Sequence, residues 1–303
     1  MSPSRPDRNE HEGLSDMSPS RPDRNEEEEN PPHALVERHG DDNGWVVVTL
    51  NRPNTINALT VPMIRTHLDV LHDLLKRVAT PTSDTGGERR GRGGLLLQGA
   101  GGRGLCAGGN VREVIQSALA GDLSTAASFF TLEYESDWTI ARLPPSLPHV
   151  SVWDGIVMGG GVGCSIHGSV RLATERTVWA MPETKIGMFP DVGASYFLSR
   201  EELGEMGTCL GLTGISINGR DCRNLGFATH LIHSSLVPKV VRKLLQHPPD
   251  PDVVRWGRSQ RKYPSLSLSL LLSLSLSLSL SLYYSFLLRP SEIILFLPVL
   301  FMP

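Results

Sequence analysis

HVSVWDGIVMGGGVGCSIHG, residues 149–168, passes from an apolar, β-branched run through three consecutive glycines into a second apolar run. HVSVWDGI (149–156) reads as a strand, and MGGGVGCSIHG (158–168) reads as a tight turn opening a helix. Two strands follow, VRLAT (170–174) and TVWAM (177–181). Upstream, GWVVVTLN (44–51) and GLLLQG (94–99) are strand-like. VPMIRTHLDVLHDLLKRV (61–78) carries apolar residues at helical spacing, with a proline allowed in the first turn. NVREVIQSAL (110–119) reads as a helix with Asn110 as N-cap, and SFFTLEYESDWTIARL (128–143) as a longer one. Strands alternating with helices place residues 34–246 in the α/β class.

Two glycine-rich turns follow strands. GAGGRG (99–104) has the spacing of a dinucleotide-binding loop, but LCAGG intervenes before the next helix, and no acidic residue closes a second strand about twenty positions on. The alternative is chemical. GLCAGGN (104–110) and MGGGVG (158–163) each present backbone N–H groups at a helix start, and two converging donors make an oxyanion hole. From composition alone, two tight turns with no room for a Cβ explain the glycines equally well.

AMPETKIGMFPDVGAS (180–195) sets Glu183 and Asp191 among apolar residues, glycine and proline. Desolvating a carboxylate costs several kcal/mol unless it is paired or used. Eight extended residues would separate the two acids by about 26–29 Å. Gly187 and Pro190 allow the chain to turn back and bring them to one substrate. The plainer reading is that Glu183 opens a helical turn after Pro182 and Asp191 caps the next after Pro190.

Together these segments resemble the crotonase (enoyl-CoA hydratase/isomerase) superfamily. LNRPNTINAL (50–59) resembles its N-terminal signature, GLCAGGNVRE its first oxyanion segment and GIVMGGGVGCSIHG its second. The run from HVSVWDG to SYFLSR, followed by GLTGISINGRDCRNLGFATHLI, is most similar to 3-hydroxyisobutyryl-CoA hydrolases. The fold implied is an α/β spiral of ββα repeats, usually trimeric, with coenzyme A bound across it. The resemblance implies that the N–H groups of Gly109 and Gly160 bind the thioester oxyanion. It assigns catalysis to Glu183 and Asp191, as general base or nucleophile and as ligand of the substrate hydroxyl or proton carrier. It gives Glu133 a substrate contact, with Glu135 left open by register, and gives His167 no catalytic role. Hydratases carry a further glutamate where this chain has Gly163, so hydrolysis is favoured over hydration. Asn110 stands where the family usually has Asp. Neither a metal nor a separate cofactor is expected, since coenzyme A belongs to the substrate.

The net charge of −3 offers no case for nucleic acid or an anionic membrane. Four cysteines without CxxC spacing read as reduced apolar fillers. The ends differ from the middle. MSPSRPDRNE occurs at 1–10 and again at 17–26, and residues 1–33 read as a disordered leader. Residues 79–93 read as a surface insertion. The tail at 247–303 contains SLSLSLLLSLSLSLSLSL (265–282), open to three readings: a translated nucleotide repeat, a membrane segment, or a strand. The family's C-terminal helical region is not recognisable after about residue 246, so it reads as truncated or replaced. The resemblance suggests a mitochondrial or peroxisomal location. Three functions follow as expectations: a thioester hydrolase in valine breakdown, a hydratase or isomerase using Glu183, and an inactive protein that binds CoA esters.

Overall fold

The computed structural model describes residues 31–40, 44–79 and 93–247. The duplicated leader, most of the insertion and the Ser/Leu tail lie outside these residues. The strands are β1 (Ala34–His39), β2 (Trp45–Leu50), β3 (Gly94–Gly99), β4 (Gly104–Cys106), β5 (His149–Trp153), β6 (Ile156–Met158), β7 (Val170–Ala173), β8 (Val178–Ala180), β9 (Ile217–Asn218) and β10 (His230–Leu231). The α-helices are α1 (Val61–Ala79), α2 (Val111–Leu119), α3 (Leu123–Ala141), α4 (Gly160–Ile166), α5 (Ala194–Leu198), α6 (Glu205–Thr213), α7 (Gly219–Asn224) and α8 (Val237–Gln246).

Two sheets are wound together. One has the order β1-β2-β3-β5-β7-β10 and the other β4-β6-β8-β9. Each turn of the chain gives one strand to each sheet, as β3 then β4, β5 then β6, β7 then β8, and helical structure follows the second strand. This is the expected spiral of ββα repeats. β4, β6 and β8 run parallel, with Gly104 opposite Ile156 and Ile156 opposite Val178. Their C-terminal ends therefore open along one edge, where loops after parallel strands commonly build binding sites.

HVSVWDGI is two strands rather than the single one its composition suggests. The chain turns at Asp154–Gly155 and leaves the six-stranded sheet for the four-stranded one. Gly155 has φ +103°, and a Cβ there would collide with the carbonyl of Arg103, so only glycine fits the corner. The long helix also starts earlier than its apolar pattern suggests. Asp122 caps α3 by accepting the N–H groups of Ser124 and Thr125.

β2 is buried along its whole length because both sheet faces are covered. Val46, Val48 and Leu50 join the main core with α1. Trp45 and Val47 pack with Leu96, Val150 and Leu172 on the other face, beneath Val237, Val240 and Leu244 of α8. Each fully buried aliphatic side chain contributes roughly 1.5–3 kcal/mol. The Trp45 indole donates to the carbonyl of His247 at 2.9 Å, which ties down the end of α8. Trp179 of β8 stacks on Phe227 with centroids 4.6 Å apart, and Phe197 of α5 packs edge-on to both. This cluster anchors both ends of the segment that carries Glu183 and Asp191. Among the described residues no helix is long and apolar enough to cross a membrane, and Cys106, Cys164, Cys209 and Cys222 are all free thiols.

Candidate active site

The site forms where β4, β6 and β8 end. After β4 the chain reaches Gly109, which bridges Leu59 in parallel. Leu59 donates to Gly108 O and accepts from Asn110 N, so the N–H of Gly109 faces away from that bridge. After β6 the chain turns at Gly159, with φ +49° and ψ −122°, a conformation costly for any side chain. Gly160 then opens α4, and the first N–H groups of a helix have no intrahelical acceptor. A methyl group built on Gly160 would lie 3.4 Å from the Gly109 nitrogen and would collide with Glu133 Oε1. The Gly160 backbone thus comes close to the Gly109 nitrogen across a space that only glycine leaves open. The LNRPNTINAL turn supports them from behind. Asn57 accepts the Arg52 N–H and donates to the carbonyls of Ala100 and Gly104, tying the signature to the GAGGRG loop.

After β8, Pro182 leads into a single 3-10 turn, Glu183–Ile186. Glu183 begins that turn, but its side chain makes no cap. It is buried instead, with Oε1 lying 2.7 Å from a methyl built on Gly159. Gly187 adopts φ +78° and the chain folds back. Asp191 is buried as well, and its Oδ2 accepts the phenolic O–H of Tyr134 at 2.9 Å. Only the Asp191 carbonyl serves the following helix, by accepting from Ala194. The next residue, Val192, has φ +45°. A β-branched residue in the left-handed region is a true outlier, costing of order 1–3 kcal/mol that the surrounding packing must offset.

The third acid is Glu133, not Glu135. Glu133 faces inward, 4 % exposed, whereas Glu135 lies at the surface 3.8 Å from His72. One helical turn on, Asp137 is 5 % exposed and neither of its oxygens has a hydrogen-bond partner. The sequence pattern assigns no role to Asp137. A signal was present, because 133 and 137 share a helix face with Phe129 and Ile140 of the core. Acids on a buried stripe call for an explanation.

Gly163 explains part of this crowding. A Cβ at that position would lie 2.6 Å from Val192 Cβ and 2.7 Å from Asp137 Oδ2. The space a side chain would need there is already occupied by an acid delivered from α3.

Burial dominates the electrostatics. It lifts Glu183 to about 8, with the Asp191 charge as the second cause. Burial also lifts Asp191, to about 6, against the Tyr134 hydrogen bond that pulls it down. Glu133 and Asp137 are held well above the usual carboxylate range by burial and then by the neighbouring acids. Near neutral pH the unliganded site therefore holds mostly protonated Glu183 beside mostly ionised Asp191. One good proton acceptor and several protonated acids thus lie against the glycine turn at 159–163, an arrangement fit for acyl chemistry through an oxyanion.

Two other expectations have definite outcomes. Asn110 occupies the N-cap of α2 but does not cap it with its side chain, which donates to Glu113 Oε2 at 2.7 Å. The shortfall follows from its backbone, φ −74° and ψ 63°, which already bonds to Leu59. His167 ends α4, as expected, and packs near Tyr196 and Phe197.

Residues 45–262 match the enoyl-CoA hydratase/isomerase family. The chain is 41 % identical over 199 residues to the mitochondrial 3-hydroxyisobutyryl-CoA hydrolase of Danio rerio, covering 66 % of this chain and 48 % of that protein. It is 41 % identical over 212 residues to the human protein of the same name, covering 70 % and 50 %. The chain thus spans about half the length of these curated relatives. Among solved structures, a carnitinyl-CoA dehydratase from Mycobacterium thermoresistibile superposes with a TM-score of 0.60 at 33 % identity, covering 89 % of this chain and 72 % of that one. The spiral of paired strands and the family match agree: this chain belongs to the crotonase (enoyl-CoA hydratase/isomerase) superfamily, whose members act on coenzyme A thioesters.

Proposed function

We propose that this chain hydrolyses 3-hydroxyisobutyryl-CoA to 3-hydroxyisobutyrate and coenzyme A. The observation that supports the reading is a buried Glu183 against Gly159 within electrostatic reach of a buried Asp191, with Gly163 closed to any further acid from its own position. In this reading the thioester carbonyl oxygen accepts from the N–H groups of Gly109 and Gly160. One such donor is worth about 3–4 kcal/mol of barrier. Glu183, once ionised, either takes a proton from water as it adds to the carbonyl or adds itself to form an anhydride that water opens. Both routes consume one water, leave a carboxylate on the acyl carbon and regenerate Glu183, and both put a proton on the departing sulfur. Asp191, held by Tyr134, accepts the 3-hydroxyl of the substrate. A buried acceptor of this kind rejects an acyl group lacking the hydroxyl, because the carboxylate would be left unpaired. Glu133 lies against Gly160 and contacts the acyl end of the substrate.

A double-bond isomerase using Glu183 alone gives no account of the buried Asp191–Tyr134 pair. The names of the relatives carry the mitochondrion into this proposal as its compartment, and the resemblance carries a trimer. The test is thiol release from 3-hydroxyisobutyryl-CoA by the purified chain, with Glu183→Gln as control and crotonyl-CoA alongside. Release that the substitution abolishes, without hydration of crotonyl-CoA, supports the hydrolase. A folded sample with no turnover refutes it for this chain and turns attention to a protein that only binds CoA esters.

A further inference from the structure

Beside Gly160 lies a small cavity with room for about one water molecule, between α1, α3 and α4 and floored by Leu50 and Leu59. Its apolar wall includes Leu59 and Met63, and its polar lining is Glu133, Ser136, Asp137 and His67. None of these polar groups has a role in the reading above except Glu133. Nε2 of His67 and both oxygens of Asp137 are fully buried without a partner. The other His67 nitrogen lies 3.3 Å from Ser136 Oγ, which fixes the ring. Burial keeps His67 neutral, its pKa falling to about 4.

Orphaned buried polar groups are rare, and each costs about 1–3 kcal/mol. Here they gather on one side of a small, otherwise apolar space of about 10 Å³, just enough for one water. A water needs two to four polar partners, and this lining offers them. Glu133 connects the cavity to the chemistry, since the same carboxyl lies against Gly160. Asp137 and Glu133 are four residues apart on α3, so they stand one above the other on a single face.

We propose that Asp137 is a positioning residue: with Glu133 and His67 it holds one buried water behind the oxyanion glycines, and through that water it fixes the Glu133 carboxyl against the thioester. Asp137 packs against Gly163, where a Cβ would lie 2.7 Å from its Oδ2, and it shares the cavity lining with Cys164. It acts by holding Glu133 in the rotamer that the donors require. No bond forms or breaks in this role.

The inference rests on the hydrolase reading for its kinetic arm only. Asp137→Asn keeps a hydrogen-bonding group of the same shape, whereas Asp137→Leu fills the cavity and excludes the water. The Leu variant is expected to lose about tenfold to a hundredfold in kcat, with KM within about twofold, as a displaced catalytic-site group does. The Asn variant is expected to return to within about threefold of wild type. A merely structural role would lower the melting temperature of both variants and leave kcat of the folded enzyme unchanged; that result overturns the proposal. A crystal structure of the wild-type chain is the second arm and needs no activity. Ordered water between Asp137, Glu133 and His67, absent from Asp137→Leu, supports the proposal. A dry cavity overturns it, also where the Leu variant does not fold. If the wild-type chain proves inactive, the hydrolase reading falls while the crystallographic arm still decides the water site.

Discussion

Replacing Glu183 by Gln is expected to abolish hydrolysis and to make the protein more stable, by an amount that grows with pH. Burial raises this carboxyl from 4.5 to about 8, so the folded protein resists the ionised form that the unfolded chain adopts freely. The sign follows from proton counts. Between the two pKa values the folded state binds more protons than the unfolded state, so stability is full below about pH 4.5 and falls as pH rises through about 8. Linkage puts the penalty at about 1 kcal/mol at pH 5, about 3 kcal/mol at pH 7 and about 4 kcal/mol at pH 8. Gln cannot ionise and escapes this term. It still buries an amide, at a cost that does not vary with pH, and Glu183 Oε2 already lacks a partner. The pH dependence of the difference therefore isolates the charge. Urea unfolding of both proteins at about pH 5 and about pH 8 should show the advantage of Gln growing by about 3 kcal/mol. Thiol release by the same variant should fall by about 10²–10⁴-fold. A stability difference that stays flat with pH would show that Glu183 is not desolvated, and the case for a poised buried base would go with it.

Other outcomes follow from single contacts. Tyr134→Phe removes the hydrogen bond that holds Asp191 down, so the Asp191 pKa should rise by about one unit, the worth of one bond to a charged acceptor. With Glu183 at about 8 setting the upper break of the kcat/KM profile, the second break that Asp191 adds near pH 6 should move up by the same amount, and an unmoved second break would take Asp191 out of the rate. Gly160→Ala pushes a methyl into Glu133 Oε1 and into the space before the Gly109 nitrogen, so kcat should drop about 10²–10³-fold in a protein that still folds. Wild-type turnover there would remove the oxyanion assignment. Gly163→Glu should not create hydration of crotonyl-CoA, because Val192 and Asp137 fill the place its side chain needs. Expected instead is a loss of several kcal/mol in stability from overpacking and a buried like charge; a stable, hydrating variant would overturn this account of the glycine.

Much of the architecture was legible because its signals are local. β2 reads as a buried strand from WVVVTL alone, and α1 from the spacing of Met63, Ile64, Leu68 and Leu71. The glycines at 159 and 160 mark a turn because the backbone there excludes other residues. Less visible was the corner at Gly155, which divides one apolar run between two sheets. Its reason is the carbonyl of Arg103, fifty-two positions earlier in the chain, which no local pattern reveals. The start of α3 was missed because Asp122 caps it before the apolar stripe begins.

The candidate site divides along the same line. The sequence by itself determined which residue types could take part: two acids in apolar surroundings, glycines at helix starts and a glutamate in a helix beside a tyrosine. Resemblance then named Gly109, Gly160, Glu133, Glu183 and Asp191. Only the tertiary structure decided between Glu133 and Glu135, because that choice depends on which face of α3 meets α4. The return of Asp191 to Glu183 was likewise set by the Trp179–Phe197–Phe227 cluster holding both ends of their segment. Asp137 emerged only when Gly163 was seen to leave room for it from another helix. A residue's chemistry is written in its side chain, but its pKa and its partners are set by what the rest of the chain packs around it.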